Sequence, residues 1–361
     1  MSSRLNAFAR RRLANQHLVS PTLSEAAQVV RALGAVQSQD CGGAKWAIAQ
    51  RTKGLTDSHI DDAFAKGAIL RTHVLRPTWH FVLPEDARWM LALTAPRVMG
   101  AMAYHARWLE LDAKVFRKSH AVIERALRDG KHLTRSELSA ILGRAGVDVS
   151  AGQRVGHVLM QAEIDRVIIS GARRGKQITY ALFDERVPAA PPRDRDEALH
   201  DLTRRYFATR GPATVHDFAW WSGLAVRDAQ RGVEAAGPFL VRETHDGRTY
   251  WSGPGERAAP RWRRVAHLLP NFDEYVVGFK DRSAFAERLR GVRQTARLDS
   301  LIGNGLFLNG QFVGGWRRTL GTTVDLEVRL RVRLTVPERE HVERAARRFG
   351  DFLELPVRVR R

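Results

Sequence analysis

Gln37-Ser38-Gln39, just after a well-signalled helix, has residue types and a spacing that can do chemistry. In an extended chain side chains alternate, so Gln37 and Gln39 point one way and Asp40 the other. A carboxamide cannot act as a general base near neutral pH. Its oxygen accepts and its nitrogen donates hydrogen bonds, so two of them can hold and orient one water molecule. Oriented water is enough when the leaving group is already good. An N7-alkylated guanine is such a group: it is cationic, so its glycosidic bond is weak, and positioned water with electrostatic support for the developing sugar cation could cleave it. On the residues alone another reading stays open, because glutamines at a helix exit also cap backbone groups or sit in solvent. Asp40, pointing to the opposite face, is read as a structural neighbour of the pair, with a role as the true base as the other option.

Arg76-Pro77-Thr78-Trp79-His80 is a second cluster. If the segment is a strand, Arg76, Thr78 and His80 share one face. A polar, partly basic face beside Trp79 suits a damaged nucleotide or its phosphates, and a core tryptophan with a hydrogen-bonded histidine is the alternative. Arg173, Arg174 and Lys176 on one hairpin tip, and Arg242 and Arg248 by another, suit phosphate contacts or a solvated basic turn. Asp273, Glu274, Asp281 and Arg282 resemble a catalytic acid cluster, but carboxylates in so basic a chain are expected to pair with arginine. No G-x-x-x-x-G-K-[ST] or Rossmann glycine pattern occurs, so neither a nucleotide nor any other cofactor is expected. Without H-E-x-x-H or C-x-x-C, and with thirteen histidines scattered off ligand spacing, no metal is expected. No G-x-S-x-G announces a nucleophilic serine.

The elements that must position these residues sit in a chain of 361 residues carrying 59 Lys and Arg against 39 Asp and Glu, a formal charge of +20. A field that positive favours a polyanion, nucleic acid first. An arginine-rich proteome is the bland alternative. The single cysteine, Cys41, excludes an intrachain disulfide and fits a reducing cytosol. No apolar run of about 18 residues predicts a membrane span, and the basic N-terminus lacks a signal-peptide core. A cytoplasmic, nucleoid-associated protein is the expectation.

The order of elements repeats. Thr22–Glu25 has the S/T-x-x-E form of a capping box ahead of Ala26, Val29, Val30 and Leu33, with Gly34 as the stop. Helices over 44–51 and 57–66 and a strand pair over 69–83 follow. Thr134–Glu137 opens a second round, with a helix over 154–165 and strands over 167–170 and 177–183. Thr214–Asp217 opens a third, with a helix over 226–236 and strands over 239–243 and 249–251 around Asp246-Gly247, a strong hairpin signal. Helices followed by a β-hairpin, three times, is the order of a winged-helix unit, a helix-turn-helix variant. Pro188–Arg193 reads as a linker. Beyond about residue 261 a mainly β module is expected. There Asn309-Gly310 predicts a type I′ turn, 324–334 an alternating strand and 337–353 an amphipathic helix. The expected fold is α+β: tandem winged-helix domains over 1–110, 111–190 and 191–260, and a β-rich module over 261–361.

Several strings point one way: VQSQD, LRPTWHFVLPEDARWMLALTAPRV, GPATVHDFAWWSGL, and LLPNFDEYVVGFKDR followed by NG-x-x-x-G-x-WRR. Nearly the whole chain resembles the AlkZ-type winged-helix DNA glycosylases. The resemblance implies a C-shaped protein around double-stranded DNA, acting as a monomer without cofactor and releasing alkylated purines. Some family members unhook interstrand crosslinks, and some protect producers of DNA-alkylating natural products. It also implies that Gln37 and Gln39 are the catalytic pair. The AlkZ branch carries Gln-x-Gln with an apolar middle residue, where this chain has Ser38. The YcaQ branch carries Gln-x-Asp, which this chain lacks. Many members of the superfamily are known only as winged-helix DNA-binding proteins. A non-catalytic regulator with spaced half-sites is therefore the alternative to an enzyme.

Overall fold

Around the glutamine pair the helix signals form close to where the spacing puts them, with two shifts, the helix expected over 44–51 beginning earlier, at Cys41 under the Asp40 cap. In the computed structural model, which describes residues 4–150, 152–255, 265–289 and 303–360, α1 (Arg4–Asn15) and α2 (Ala26–Leu33) precede the pair. β1 (Val36–Gln37) holds its first member, and α3 (Cys41–Ala49) and α4 (Asp57–Ala65) follow. α2 starts later than the Thr22–Glu25 pattern implies. Glu25 is its N-cap, and Gln28 Oε1 accepts the Ser24 and Glu25 N–H groups at 2.9 and 3.3 Å. The cause lies upstream: Leu23 is held extended by a bridge to Thr52, its carbonyl accepting the Lys53 N–H at 2.9 Å. Gly34 ends α2 at φ +77°, a conformation that costs glycine little.

β2 (Leu70–His73) and β3 (Trp79–Val82) pair antiparallel, Leu70 opposite Val82 and His73 opposite Trp79. α5 (Pro84–Trp108) and α6 (Ala113–Leu127) come next. Neither carries the S/T-x-x-E pattern. α5 starts on Pro84 with Glu85 and Asp86 in its first turn, and Asp112 caps α6 by accepting the Val115 N–H at 2.8 Å. β4 (Leu133–Thr134), α7 (Arg135–Arg144), α8 (Arg154–Ile164), β5 (Ile168–Arg174), β6 (Gln177–Leu182) and α9 (Phe183–Arg186) complete this stretch. Thr134 forms the expected capping box, with Glu137 Oε2 accepting its N–H at 2.7 Å. β4, β6 and β5 make a three-stranded sheet. Ile123, Leu127, Leu138, Leu142, Val158 and Ile168 fill the core beneath it. Helices against a small sheet that includes a hairpin is an arrangement consistent with a winged-helix unit.

α10 (Arg195–Arg210), α11 (Val215–Ser222), α12 (Val226–Ala235), β7 (Val241–His245) and β8 (Arg248–Ser252) form the third round. Thr214 and Asp217 cap α11 reciprocally, at 2.9 and 3.1 Å. Asp246 and Gly247, at φ +49° and +71°, make the two-residue hairpin turn.

β9 (Ala266–Leu269), α13 (Glu274–Val277), β10 (Gly305–Leu308), β11 (Gln311–Leu320), β12 (Val324–Leu330), α14 (Val336–Leu353) and β13 (Val357–Arg360) make the β-rich part. Its sheet runs β13-β12-β11-β10-β9. Asn309 and Gly310, at φ +53° and +83°, form the expected turn. β12 ends at Leu330 instead of Leu334, because its ladder stops where Gly314 faces Leu330, and Thr335 then caps α14. The boundary expected near residue 261 lies outside the described residues.

By contacts the chain divides into two units. One is Met1–Ile60 with His200–Trp221 and Ala225–Arg361; the other is Asp61–Leu199 with Ser222–Leu224. Among the described residues no helix is long and apolar enough to cross a membrane.

Candidate active site

Gln37 is buried at the end of β1, and Gln39 is exposed in the bend that leads into α3. The backbone of Gln37 is held from far along the chain: its N–H donates to Glu274 Oε1 at 2.8 Å. The other oxygen of Glu274 accepts Arg210 Nη2 at 2.6 Å and Trp221 Nε1 at 2.9 Å. Arg210 also donates through Nη1 to the Leu33 carbonyl at 2.9 Å, and its guanidinium lies 4.3 Å from the Trp221 ring centroid. Glu274 and Arg210 are fully buried, where a charge survives only if paired and hydrogen-bonded.

On the far side of the pair, Asp40 is the N-cap of α3, its Oδ1 accepting the Gly43 N–H at 3.1 Å. That is a structural task, and it leaves the second oxygen beside the same glycine. A Cβ at Gly43 would lie 2.8 Å from Asp40 Oδ2 and 3.2 Å from Pro270 Cβ, so the loop and the Pro270–Glu274 turn approach closely only because residue 43 is glycine. Trp46 Nε1 donates to the Leu268 carbonyl at 2.7 Å. Arg51 pairs in two-pronged fashion with Asp273, at 3.0 and 2.8 Å, and reaches Gln16 at 3.0 Å. The expected ion pairs of Asp273, Glu274 and Asp281 are therefore present, the last with Arg248 at 2.7 Å. Sequence reasoning missed that Glu274 also holds Gln37. It also missed Arg318, whose Nη2 would lie 3.5 Å from a Cβ at Gly42, a cation at the start of α3.

The shared strand face of Arg76, Thr78 and His80 does not form. β3 begins only at Trp79, and Val74–Thr78 are a turn in which the Arg76 and Thr78 N–H groups donate to the carbonyls of Val74 and Arg76 at 2.8 and 2.7 Å. Leu75 takes φ +66° there, and Pro77 has no N–H to give a ladder. His80 is buried, with Nδ1 2.9 Å from the Thr78 carbonyl. Trp79 is half-buried: its Nε1 donates to Glu163 at 3.4 Å, and the Arg71 guanidinium lies 4.2 Å from its ring. Glu163 also contacts His73 Nδ1 closely.

The basic wing residues are placed on their hairpins as follows. Arg173 and Arg174 end β5, and the tip narrows to Gly175 and Lys176, both exposed. Arg173 pairs with Asp61 at 2.6 Å and Arg174 with Glu137 at 2.7 Å. Arg242 is exposed on β7 with its guanidinium 5.9 Å from the Trp251 ring, and Arg248 begins β8. The Thr134 N–H, then Arg174, hold the Glu137 carboxyl below its ordinary range. Burial pushes Asp281 up, but hydrogen bonds from Ser283 and the charge of Arg248 outweigh it, so it too is lowered. Both carboxylates stay charged at neutral pH. Among the described residues no three His, Cys, Asp or Glu side chains are grouped to hold a metal.

A family model described as DNA glycosylase AlkZ-like matches residues 30–352. An interstrand DNA cross-link repair glycosylase of Streptomyces sahachiroi is 26% identical over 368 residues, covering 96% of this chain and 97% of that protein. The structure of Streptomyces sahachiroi DNA glycosylase AlkZ matches with a TM-score of 0.77 at 25% identity, over 99% of this chain and all of the other.

Proposed function

We propose that this chain, which belongs to the AlkZ-like family of DNA glycosylases, hydrolyses the N-glycosidic bond of N7-alkylated guanine in double-stranded DNA by positioning water with Gln37 and Gln39. The observation that carries the reading is the Gln-x-Gln segment itself: a buried Gln37 with its backbone held, and an exposed Gln39 two residues on, next to the start of α3. The water oxygen forms a bond to the sugar C1′ as the bond to the base nitrogen breaks. The bonding pair goes to the cationic purine, which leaves neutral, and the water proton passes to solvent. Water, not an enzyme amine, bonds to C1′, so no covalent enzyme–sugar intermediate forms and the reaction is monofunctional, releasing the purine and leaving an abasic site. The carboxamides supply orientation, worth orders of magnitude when the reacting atoms are held in line, and the already cationic leaving group removes the need for a strong acid.

Grip on the duplex comes from the +20 charge and the basic wings. Lys176 and Arg174 on one hairpin and Arg242 and Arg248 on another are assigned to phosphates, while Arg173 is held by Asp61. Arg76, Thr78 and Trp79 are assigned to the surroundings of the damaged nucleotide and Asp40 to support of the loop, while the fully buried His80 is left to the fold. Three winged-helix domains followed by the β-rich module, acting as a monomer on alkylated DNA in the cytoplasm, complete the reading. Bulky adducts and the ends of interstrand crosslinks are the same chemistry at the reacting bond, and a relative's name includes crosslink repair.

The test is release of 7-methylguanine from duplex DNA by the wild type and by Gln37→Ala combined with Gln39→Ala. The expected result is loss of release in the double variant with duplex binding retained. Unchanged release would remove the assignment. Binding to a defined operator without release from any alkylated DNA would replace it with the regulator.

A further inference from the structure

The catalytic assignment leaves unexplained why a fully buried carboxylate lies under the loop. A buried ion pair is weak support for stability, since apolar side chains of similar volume often serve as well. Glu274 and Arg210 do something that apolar side chains cannot. Arg210 accepts none of the load alone: its Nη1 ties the Leu33 carbonyl at the exit of α2, while Glu274 Oε1 ties the Gln37 N–H four residues later. One ion pair, braced by Trp221 Nε1 on Glu274 Oε2, thus fixes both ends of the segment that delivers Gln37. On the other side Asp40 and Gly43 lock the start of α3, and Pro270 of the same turn packs against Gly43. Ser38 and Gln39 are left spanning two fixed points.

We propose that Glu274 is the positioning residue for the Gln37–Gln39 loop, setting where the carboxamides present water. The inference rests on the catalytic reading of the glutamines. Because Arg210 balances its charge, Glu274 acts through geometry and contributes little to the field felt by DNA. Misplacing a reacting group by about an ångström can cost about a hundredfold in rate, so a small shift of Gln37 is enough.

The experiment uses the full chain and duplex DNA carrying 7-methylguanine. Glu274→Gln keeps an oxygen but removes the charge and sets an N–H2 against the donors around it. It is expected to slow single-turnover release by roughly tenfold to a hundredfold, with the DNA dissociation constant within about twofold of wild type. Tyr206→Phe removes a buried hydrogen bond to the Gly278 carbonyl in the same region without touching Glu274, and is the control for lost stability. A rate loss equal to that of Tyr206→Phe at matched thermal unfolding, or no rate loss in Glu274→Gln, overturns the proposal. Should Glu274→Gln fail to fold, the wild-type Gln37 amide decides. A carboxylate acceptor predicts a strongly downfield proton and slow hydrogen exchange, and exchange at the rate of an open loop overturns it. The Gln37→Ala, Gln39→Ala double variant runs in the same assay. Retained release there defeats the catalytic reading whatever Glu274 does. Abolished release with a wild-type rate in Glu274→Gln defeats only the positioning role.

Discussion

At the scale of single residues, the question is whether Asp40 is a cap or a base. Its carboxylate accepts the Gly43 N–H at the start of α3, a task asparagine performs about as well. Asp40→Asn should therefore keep both stability and base release, whereas Asp40→Ala should cost about 1 kcal/mol of stability in chemical denaturation. Loss of release in the asparagine variant would make Asp40 the base. Carboxamides do not titrate, so single-turnover release should be flat between about pH 6 and 9, and a titrating limb in that range would overturn the assignment of water positioning to the glutamines alone. Gly43 gives a third check. A methyl group there would sit 2.8 Å from Asp40 Oδ2, so Gly43→Ala should lose about 1–3 kcal/mol through overpacking and slow release by displacing the loop.

At the scale of elements, the hairpins separate residues that hold the fold from residues available to DNA. Lys176 is exposed at the tip of the β5–β6 hairpin, while Arg173 is bound to Asp61. Lys176→Ala should reduce the slope of log affinity against log salt by about 0.9, the counterion release of one phosphate contact. Arg173→Ala should change the slope less and lower the unfolding temperature instead. Equal slopes for Lys176→Ala and wild type would take Lys176 off the DNA. These elements were the legible part of the chain. Thr134–Glu137, Thr214–Asp217, Asp246-Gly247 and Asn309-Gly310 each fix backbone geometry through residues at most three apart, and each forms as spaced. Legibility fails where a distant partner decides. Leu23, tied to Thr52, delays α2; the turn over Val74–Thr78 breaks the alternation expected of Arg76, Thr78 and His80; and α5 and α6 begin on caps of a different pattern. Within the candidate site, the glutamine pair can be proposed from the sequence because two residues and their spacing suggest a chemistry. Its support cannot, because Glu274 lies 237 positions away and nothing local in Pro270–Glu274 says which N–H it will receive.

At the scale of the whole molecule, part of the arginine is interior. Arg51 and Arg210 are fully buried in pairs with Asp273 and Glu274, so these charges cancel and leave the net +20 to the rest of the chain. Breaking one of these internal pairs should be costly: Asp273→Ala leaves Arg51 charged and buried, and should destabilise by about 3–5 kcal/mol. His267 reports on the same interior through pH. It is fully buried on β9, its Nε2 2.9 Å from the Leu18 carbonyl, and burial, which outweighs that hydrogen bond, pushes its pKa down to about 4. The folded protein therefore keeps His267 neutral where the unfolded chain, at its ordinary value near 6.5, takes up a proton. More protons bind to the unfolded state in that window, so stability rises with pH across it. The contribution is complete above about pH 6.5 and is lost as the pH falls toward about 4, below which both states are protonated and the dependence ends. The full loss amounts to about 3 kcal/mol for a shift of this size. His267→Gln, which can still donate to the Leu18 carbonyl but does not titrate, should flatten that limb in urea unfolding at stepped pH. An unchanged acid limb in the variant would place the responsible proton elsewhere.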